Sequence, residues 1–256
     1  MIQSSFIFNT RIDNIAKQDI FLTVEGFLES NLFHQIATVN PEFLLLSLKD
    51  TRFRNILNKC ELNVADGVGI HFAFWRQRKK LQTRMAGADL MAYILQQAER
   101  KNLSVMCVVR KDGLSKWKDI RRALKKQYPK LRVEGIDISI TRHPELVLGS
   151  RTLLDDIESK LFERIKKSHI ILCNFGAPYQ EVFLADFRKN TNAIRVAMGV
   201  GGSFDFLTGK TKRAPRLMRA LGLEWLWRLF LQPRRFKRIW NAVIVFPVRV
   251  LFVSRK

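Results

Sequence analysis

Short apolar runs alternate with stretches of helical periodicity along most of the chain. The apolar runs have the length of buried strands, and they cover residues 35–40, 103–109, 131–136, 168–175 and 193–198. Helical patterns open at Pro41 and cover residues 87–101, about 115–128, about 153–167 and 180–189. Because buried strands that alternate with helices are typical of parallel sheets covered on both faces, the pattern predicts an α/β fold with a mostly parallel sheet.

The loops after these strands are the first places to search, since ligands of such sheets bind beyond the carboxyl ends of the strands. Asp66 follows a short apolar segment and stands before Gly67 and Gly69. The glycines let the backbone approach a ligand that the carboxylate also faces. We interpret Asp66 as a general base or a ligand of a nucleotide ribose, and an ordinary Asp-Gly turn is the alternative.

Two later loops also suggest phosphate binding. The first, residues 174–181, follows the most apolar strand and opens a helix with Gln180 and Glu181 in its first turn. Free N–H groups at a helix N-terminus favour a phosphate, and these two side chains are candidates for contacts to a sugar or diphosphate; helix capping is the alternative. The second, residues 199–206, has three glycines after a strand, which would allow its backbone to approach a nucleotide closely. A glycine-rich connection without a ligand is the alternative. Its spacing is not that of a dinucleotide-binding GxGxxG motif.

The pattern changes after Gly209. Residues 216–230 predict a helix in which arginines lie between apolar residues, Pro233 breaks or kinks it, and a second basic helix runs into the apolar stretch 239–253. That stretch is shorter than the ~20 residues of a membrane-spanning helix. Three of the five tryptophans lie in this part, which favours a helix in the membrane interface. A helix pair packed on the body of the protein is the alternative.

The net charge of +22 supports membrane association of this part, because more than half of the charge is concentrated in it. Residues 210–256 contain 13 Lys and Arg and one acidic residue, Glu224. Such an excess needs an anionic partner: nucleic acid, a phosphorylated substrate or an anionic membrane surface. We therefore predict a body over residues 1–209 and a basic, amphipathic, membrane-associating appendage over residues 210–256.

Cysteine and histidine content argue against several kinds of site. The three cysteines are far apart and form no CxxC or Cys/His cluster, so we expect core thiols in a reducing compartment. No basic segment followed by an apolar run opens the chain, and we expect no signal peptide. The four histidines are scattered and no DxD pair occurs, so we expect chemistry without a metal or other cofactor.

The motifs, taken in order, resemble the WecG/TagA/CpsF glycosyltransferases from residue 38 to residue 238. They are Thr38-x-Asn40, DGxG at 66–69, RxxGxD at 84–89, GxPxQE at 176–181, GVGGxFDFxxG at 199–209, KRAP at 212–215 and EWxxRLxxxPxRxxR at 224–238. Each motif is weak alone, but the ordered set is specific. Tyr179 departs from the family's usual Lys or Arg, and Gln232-Pro233 from its usual Glu-Pro.

The resemblance implies a Rossmann-like α/β body with a membrane-associating appendage. It also implies inverting transfer of a sugar, of the N-acetylmannosamine type, its uronic acid or a related hexose, from a UDP-sugar to a polyprenyl-diphosphate-linked saccharide for the cell surface. Such an enzyme would be cytoplasmic and peripheral on the inner face of the plasma membrane, with the oligomeric state open and a homo-oligomer compatible.

The resemblance further implies roles for individual residues. Asp66 would be the base, and the donor-sugar and acceptor site would be formed by Thr38, Asn40 and Gln180. Gly201, Gly202 and Asp205 would lie near the nucleotide, and the diphosphate charge would be stabilised by Arg84, Arg228, Arg235 and Arg238.

Other functions fit the sequence less well. A non-enzymatic basic protein that binds nucleic acid or membrane would have the right charge, but no known nucleic-acid module occurs and Asp66 and the glycine loops would be unexplained, so we expect no nucleic-acid partner. An idle membrane scaffold would not need Asp66 and Gln180. A nicotinamide-dependent oxidoreductase lacks its glycine fingerprint.

Overall fold

Six strands form one parallel sheet, and a two-stranded antiparallel hairpin lies beside it. The computed structural model describes residues 3–139, 159–189 and 193–252. The hairpin is β1 (Ser4–Ile7) and β2 (Thr10–Asp13). The sheet has the order β4-β3-β8-β7-β5-β6, with every neighbouring pair parallel. Its strands are β3 (His34–Val39), β4 (Leu62–Ala65), β5 (Ser104–Arg110), β6 (Arg132–Ile138), β7 (Ile170–Cys173) and β8 (Val196–Gly199).

Helices connect the strands and form the end of the described chain. Those of the body are α1 (Lys17–Glu29), α2 (Pro41–Lys49), α3 (Thr51–Lys59), α4 (Val68–Arg76), α5 (Gly87–Arg100), α6 (Trp117–Gln127), α7 (Ser159–Lys166), α8 (Tyr179–Asp186) and α9 (Ser203–Leu207). Those that follow are α10 (Arg216–Ala220), α11 (Glu224–Leu231), α12 (Phe236–Trp240) and α13 (Phe246–Phe252), with a π-helical turn at Asn241–Val245 joining the last two.

Alternating strand residues bury opposite faces of the sheet, as the two-residue period of a strand requires. In β5, Val105, Cys107 and Val109 pack with α1, α5 and α6 on one face. The residues between them, Met106 and Val108, pack with α7 and α8 on the other. Both faces are therefore covered, and the predicted α/β fold with a mostly parallel sheet is confirmed.

The strongly apolar strands were predicted well, and so were most of the helices between them. The helix predicted over residues 216–230 is wrong as one element. It is two helices, because Gly222 adopts φ +76° and turns the chain between α10 and α11. The predicted helix 153–167 is seen from Ser159 to Lys166, and its first residues lie outside the described part of the chain.

Several elements near the N-terminus were not predicted from the sequence. They are the hairpin, α1, α3, α4 and the short strand β4. The hairpin is held to the sheet by a buried carboxylate, since Asp13 Oδ2 accepts a hydrogen bond from the Asn63 backbone N–H at 2.8 Å. Four-residue strands such as β1, β2 and β4 are too short for hydrophobic periodicity to separate them from loops.

The C-terminal helices pack on the body with one side and expose the other. Phe246 is fully buried and Val250 nearly so, in a cluster with side chains of α2, α3 and α4. The sequence reading set membrane association against packing, and the structure shows packing for this inner side. The division of the chain at residue 209 stays a prediction. In the part of the chain that the structure describes, no helix combines the length and apolarity needed to cross a bilayer.

Candidate functional site

A cavity of about 750 Å³ lies at the carboxyl edge of the sheet, between the body and the C-terminal helices. The ends of β3, β4, β5, β7 and β8 all open into it, as expected for a parallel sheet. The residues to which the family resemblance gave roles all line this one cavity, although they are spread over 200 positions: Thr38, Asn40, Asp66, Arg84, Gln180, Gly201, Gly202, Asp205, Arg228, Arg235 and Arg238. Glu181, the other candidate for a substrate contact, is buried and is not among the lining residues. The structure thus brings the predicted site residues together, while their individual roles stay predictions.

Asp66 stands directly after β4 at the floor of the cavity. Its backbone N–H extends the sheet by donating to the Val39 carbonyl at 2.8 Å, and Gly67 then turns the chain with φ +87°. One carboxylate oxygen accepts a long hydrogen bond of 3.4 Å from the Gly87 N–H. Burial raises the pKa of Asp66 to about 6, against the opposing charge of Arg228. Asp66 is therefore a carboxylate of unusual basicity that is open to the cavity.

The end of β3 lies next to Asp66. Asn40 caps α2, since its Oδ1 accepts from the Phe43 N–H at 3.1 Å. Thr38 is nearly buried, and a Cβ atom added to Gly87 would lie 3.2 Å from its hydroxyl oxygen. Because Gly87 has no side chain, the Thr38 hydroxyl has room at the cavity, near Asp66.

Gln180 joins the loops that follow β7 and β8. Its side chain is 3% exposed, and its Oε1 accepts hydrogen bonds from the N–H of Gly176 at 3.0 Å and of Gly201 at 3.2 Å. Its Nε2 donates to Glu181 at 2.7 Å. In this structure Gln180 therefore fixes the spacing of two glycine loops, a role that the sequence did not reveal.

The loop after β8 is held from the opposite side. Asp205 accepts a hydrogen bond of 2.7 Å from the Ser115 hydroxyl, which attaches α9 to the loop before α6. Gly202 faces Arg235, since an added Cβ would lie 3.6 Å from that guanidinium. The predicted nucleotide-side residues and one of the predicted diphosphate arginines are thus neighbours.

The arginines of the C-terminal helices differ in how they are paired. Arg228 lies over the Phe206 ring at 4.5 Å and reaches Glu224 at 3.5 Å. Arg238 forms an ion pair with Glu42, in which the arginine Nε lies 3.0 Å from one carboxylate oxygen and 3.2 Å from the other.

Arg235 has no ion pair among the residues that the structure describes. Burial and the nearby charges of Arg228 and Arg238 lower its pKa to about 10. This unpaired guanidinium, one of three arginines gathered at one wall, is suited to an anion that carries more than one charge.

Two further arginines join the body to the C-terminal helices. Arg84 donates to the carbonyl oxygen of Arg219 at 2.6 Å, at the end of α10. Arg213 binds both carboxylate oxygens of Asp89 at 2.5 and 3.2 Å. Arg213 and Asp89 were not assigned to the site from the sequence. Both belong to motifs quoted above, and the pairing of a basic motif with an acidic one was the available signal.

The outer wall of the cavity is apolar. Trp225 of α11 and Ile239, Ala242 and Val243 of the last helical stretch line it beside the arginines. A charged wall next to an apolar one fits an amphipathic ligand with a phosphate group. In the described ranges, no three His, Cys, Asp or Glu side chains are grouped so that they could hold a metal ion.

A parallel α/β sheet with glycine loops, a carboxylate of raised pKa and clustered arginines beyond its carboxyl ends is typical of proteins that bind phosphate-bearing ligands. The chain belongs to the glycosyl transferase WecG/TagA/CpsF family, whose model matches residues 6–256. This confirms the resemblance drawn from the motifs, and it makes the protein a glycosyltransferase.

One relative has a name that describes its reaction. The chain is similar to the N-acetylglucosaminyldiphosphoundecaprenol N-acetyl-beta-D-mannosaminyltransferase of Bacillus subtilis (strain 168). The two are 29% identical over 214 residues, which is 83% of this chain and 77% of the relative.

Proposed function

We propose that this glycosyltransferase moves a sugar from a UDP-sugar to a polyprenyl-diphosphate-linked saccharide, with inversion at the anomeric carbon. The sugar would be of the N-acetylmannosamine type, its uronic acid or a related hexose, and the product would serve cell-surface polysaccharide synthesis. The observation that supports this best is the meeting of Asp66 with Arg228, Arg235 and an apolar wall in one cavity. The relative's name describes an acceptor of the same chemistry.

In the proposed mechanism, Asp66 takes the proton from the acceptor hydroxyl as that oxygen attacks the anomeric carbon. The bond from that carbon to the UDP oxygen breaks, and UDP leaves with the bonding electrons. Positive charge from Arg84, Arg228, Arg235 and Arg238 would offset the charge of the diphosphates. The apolar wall at Ile239 and Val243 would take the first isoprene units of the acceptor.

The direct test is a transfer assay. Purified protein is given a panel of UDP-sugars and a synthetic polyprenyl-diphosphate-GlcNAc acceptor, and products are read by mass spectrometry. The proposal expects one sugar to be added with release of UDP. An acceptor that gains no sugar from any nucleotide donor, while the protein remains folded, would contradict it.

The pKa of Asp66 predicts how the activity depends on pH. A general base works when deprotonated, and Asp66 loses its proton with a pKa of about 6. We therefore expect kcat/KM to be level above that pH and to fall about tenfold per pH unit below it. A profile with its acidic limb near pH 4 would indicate that a group other than Asp66 is the base.

We also propose that the transfer needs no metal ion or other cofactor. The sequence contains no DxD pair, and Arg228, Arg235 and Arg238, which line the cavity, would balance diphosphate charge in place of a divalent cation. EDTA should leave the initial rate unchanged, measured with a soluble short-chain acceptor. Loss of activity that Mg²⁺ or Mn²⁺ restores would overturn this proposal, with Asp205 the first ligand to examine.

Finally, we propose that the enzyme works on the inner face of the plasma membrane as a peripheral protein. The outer side of its C-terminal helices is rich in exposed apolar residues next to Lys and Arg, a composition suited to an anionic interface. The exposed large apolar residues are Leu217, Leu221, Phe230, Leu231, Phe236, Trp240, Ile244, Val248, Leu251 and Phe252.

Serine at both Phe230 and Trp240 should lower binding to anionic vesicles by about tenfold or more, because two large apolar side chains no longer enter the interface. Leu32→Ser is a matched control. Leu32 is 70% exposed, but it lies just before β3, at the amino ends of the strands and away from the C-terminal helices. Sedimentation with vesicles measures both. Equal losses in the two variants would mean that the C-terminal helices are not the membrane face.

A further inference from the structure

A buried carboxyl lies behind the cavity wall, and the mechanism above does not use it. Glu181, in the first turn of α8, is 1% exposed. Its Oε1 accepts the hydrogen bond from Gln180, while its Oε2 has no hydrogen-bond partner among the described residues. Glutamate is seldom buried without a cationic partner, so this position needs an explanation.

The space around Glu181 is made by a glycine of the neighbouring strand. A Cβ atom added to Gly199, the last residue of β8, would lie 2.8 Å from Glu181 Oε1 and 2.3 Å from Gln180 Nε2. Both distances are too short for any side chain to be accommodated without movement. The end of β8 is thus shaped around the Gln180–Glu181 pair.

The pair determines which way the Gln180 amide points. The amide oxygen faces two donors, the N–H groups of Gly176 and Gly201. The amide nitrogen faces Glu181 Oε1, which serves as its acceptor. With the carboxyl proton on Oε2, Glu181 presents Oε1 to Gln180 only as an acceptor. A turned amide would bring its NH₂ group to two N–H donors and its oxygen to this acceptor, so the two N–H groups and Glu181 together favour the observed orientation.

We propose that Glu181 is a positioning residue that stays uncharged and orients Gln180, so that the Gln180 oxygen holds the loops after β7 and β8 at the spacing that the diphosphate of the donor requires. This inference rests on the proposed function for the identity of the ligand. It differs from the sequence reading, in which Glu181 was a candidate for direct contact with the sugar or diphosphate.

The charges around Glu181 explain why it stays uncharged. Burial raises its pKa to about 8, although the hydrogen bonds from Gln180 and from its own backbone N–H act to lower it, and the negative charge of Glu42, on α2, adds to the rise. The other titratable groups that face it are the thiols of Cys60, after α3, and Cys173, on β7, whose own pKa values burial raises. From β3, Gln35 contributes a neutral amide that donates to the Glu181 backbone carbonyl. A carboxylate here would place uncompensated negative charge behind a site for an anion.

The first measurement is hydrogen exchange by mass spectrometry on peptides covering residues 174–181 and 199–203. Glu181→Ala should speed exchange at Gly176 and Gly201 by up to about tenfold, because the amide that accepts from both is no longer held. Glu181→Gln should exchange like the wild type, because its side-chain oxygen can still accept from Gln180. If Glu181→Ala does not fold, Glu181→Met fills the space without a comparable acceptor.

The second measurement is the affinity for UDP between pH 7 and pH 9, by calorimetry. Wild-type affinity should fall severalfold above pH 8 relative to Glu181→Gln, which cannot ionise; the titration of UDP itself is common to both proteins and cancels. Glu163→Gln, which removes an exposed carboxylate on α7, should follow the wild type.

Each outcome decides the proposal. Wild-type exchange in Glu181→Ala would overturn the positioning role, and parallel pH curves for wild type and Glu181→Gln would overturn the requirement for an uncharged side chain. If the wild type does not bind UDP at all, the proposed donor is wrong, and hydrogen exchange still tests whether Glu181 holds the two loops.

Discussion

Asparagine at position 66 is expected to lower kcat by about 10²–10⁴-fold, the usual contribution of a general base, and to leave UDP binding nearly unchanged. The substitution keeps the size of the side chain, and its amide oxygen can still accept from the Gly87 N–H. What it removes is the basic group whose pKa burial raises to about 6. The measurement is turnover at saturating substrates, together with the UDP affinity of the same preparation.

Asp50→Asn is the matched control. Asp50 caps α3 through the Phe53 N–H at 2.9 Å, it is not among the residues that line the cavity, and Asn caps helices as well as Asp does. This variant should therefore keep full turnover and stability. If Asp66→Asn also turned over at nearly the wild-type rate, Asp66 would be a turn residue or a ribose ligand, the two alternatives that its sequence context allows.

The sequence predicted the position of Asp66 because the relevant physics is local. A strand end, an acid and two glycines stand next to one another in the chain, and the parallel sheet then brings strand ends together. The same reasoning located Gln180 and Gly201 at one edge of the sheet. The fold followed from the alternation of apolar runs and helical patterns, and the family from the order of the motifs along the chain.

The functional pairing of side chains was not predictable in this way, because it depends on contacts between distant segments. Gln180 was expected at the substrate, yet its oxygen is shared by Gly176 and Gly201. Arg238 was expected at a diphosphate, and its guanidinium is bound to Glu42, 196 positions away. Hydrophobic periodicity also could not show that Phe246 of a basic, apolar tail belongs to the core. Charge and hydrophobic pattern indicate which side chains need an ion-pair or packing partner, but they do not identify that partner.

Arg235→Ala is expected to lower kcat/KM by about 10–100-fold, the range of one or two hydrogen bonds to a charged group. Arg228 and Arg238 are paired with Glu224 and Glu42, whereas Arg235 has no ion pair among the described residues, so its guanidinium is available to a diphosphate without first breaking one. The adjacent Arg234 is exposed and does not line the cavity, which makes Arg234→Ala the matched control. Affinity for inorganic pyrophosphate, measured by calorimetry, should fall in the first variant and hold in the second.

The stability of Arg235→Ala should rise, although its affinity for pyrophosphate falls. Burial and the charges of Arg228 and Arg238 lower the pKa of Arg235 to about 10, so its charged form is less favourable in the folded protein than in the unfolded chain. This cost is present in full at neutral pH and disappears only as the pH rises through that value and beyond the ordinary pKa of arginine. Removing the charge should therefore raise the Tm of the ligand-free protein at pH 7, while Arg234→Ala leaves it unchanged. A gain in stability joined to a loss of pyrophosphate affinity is expected of a residue kept for binding at the expense of folding. A lower Tm with unchanged pyrophosphate affinity would instead make Arg235 a structural arginine and would remove it from the site.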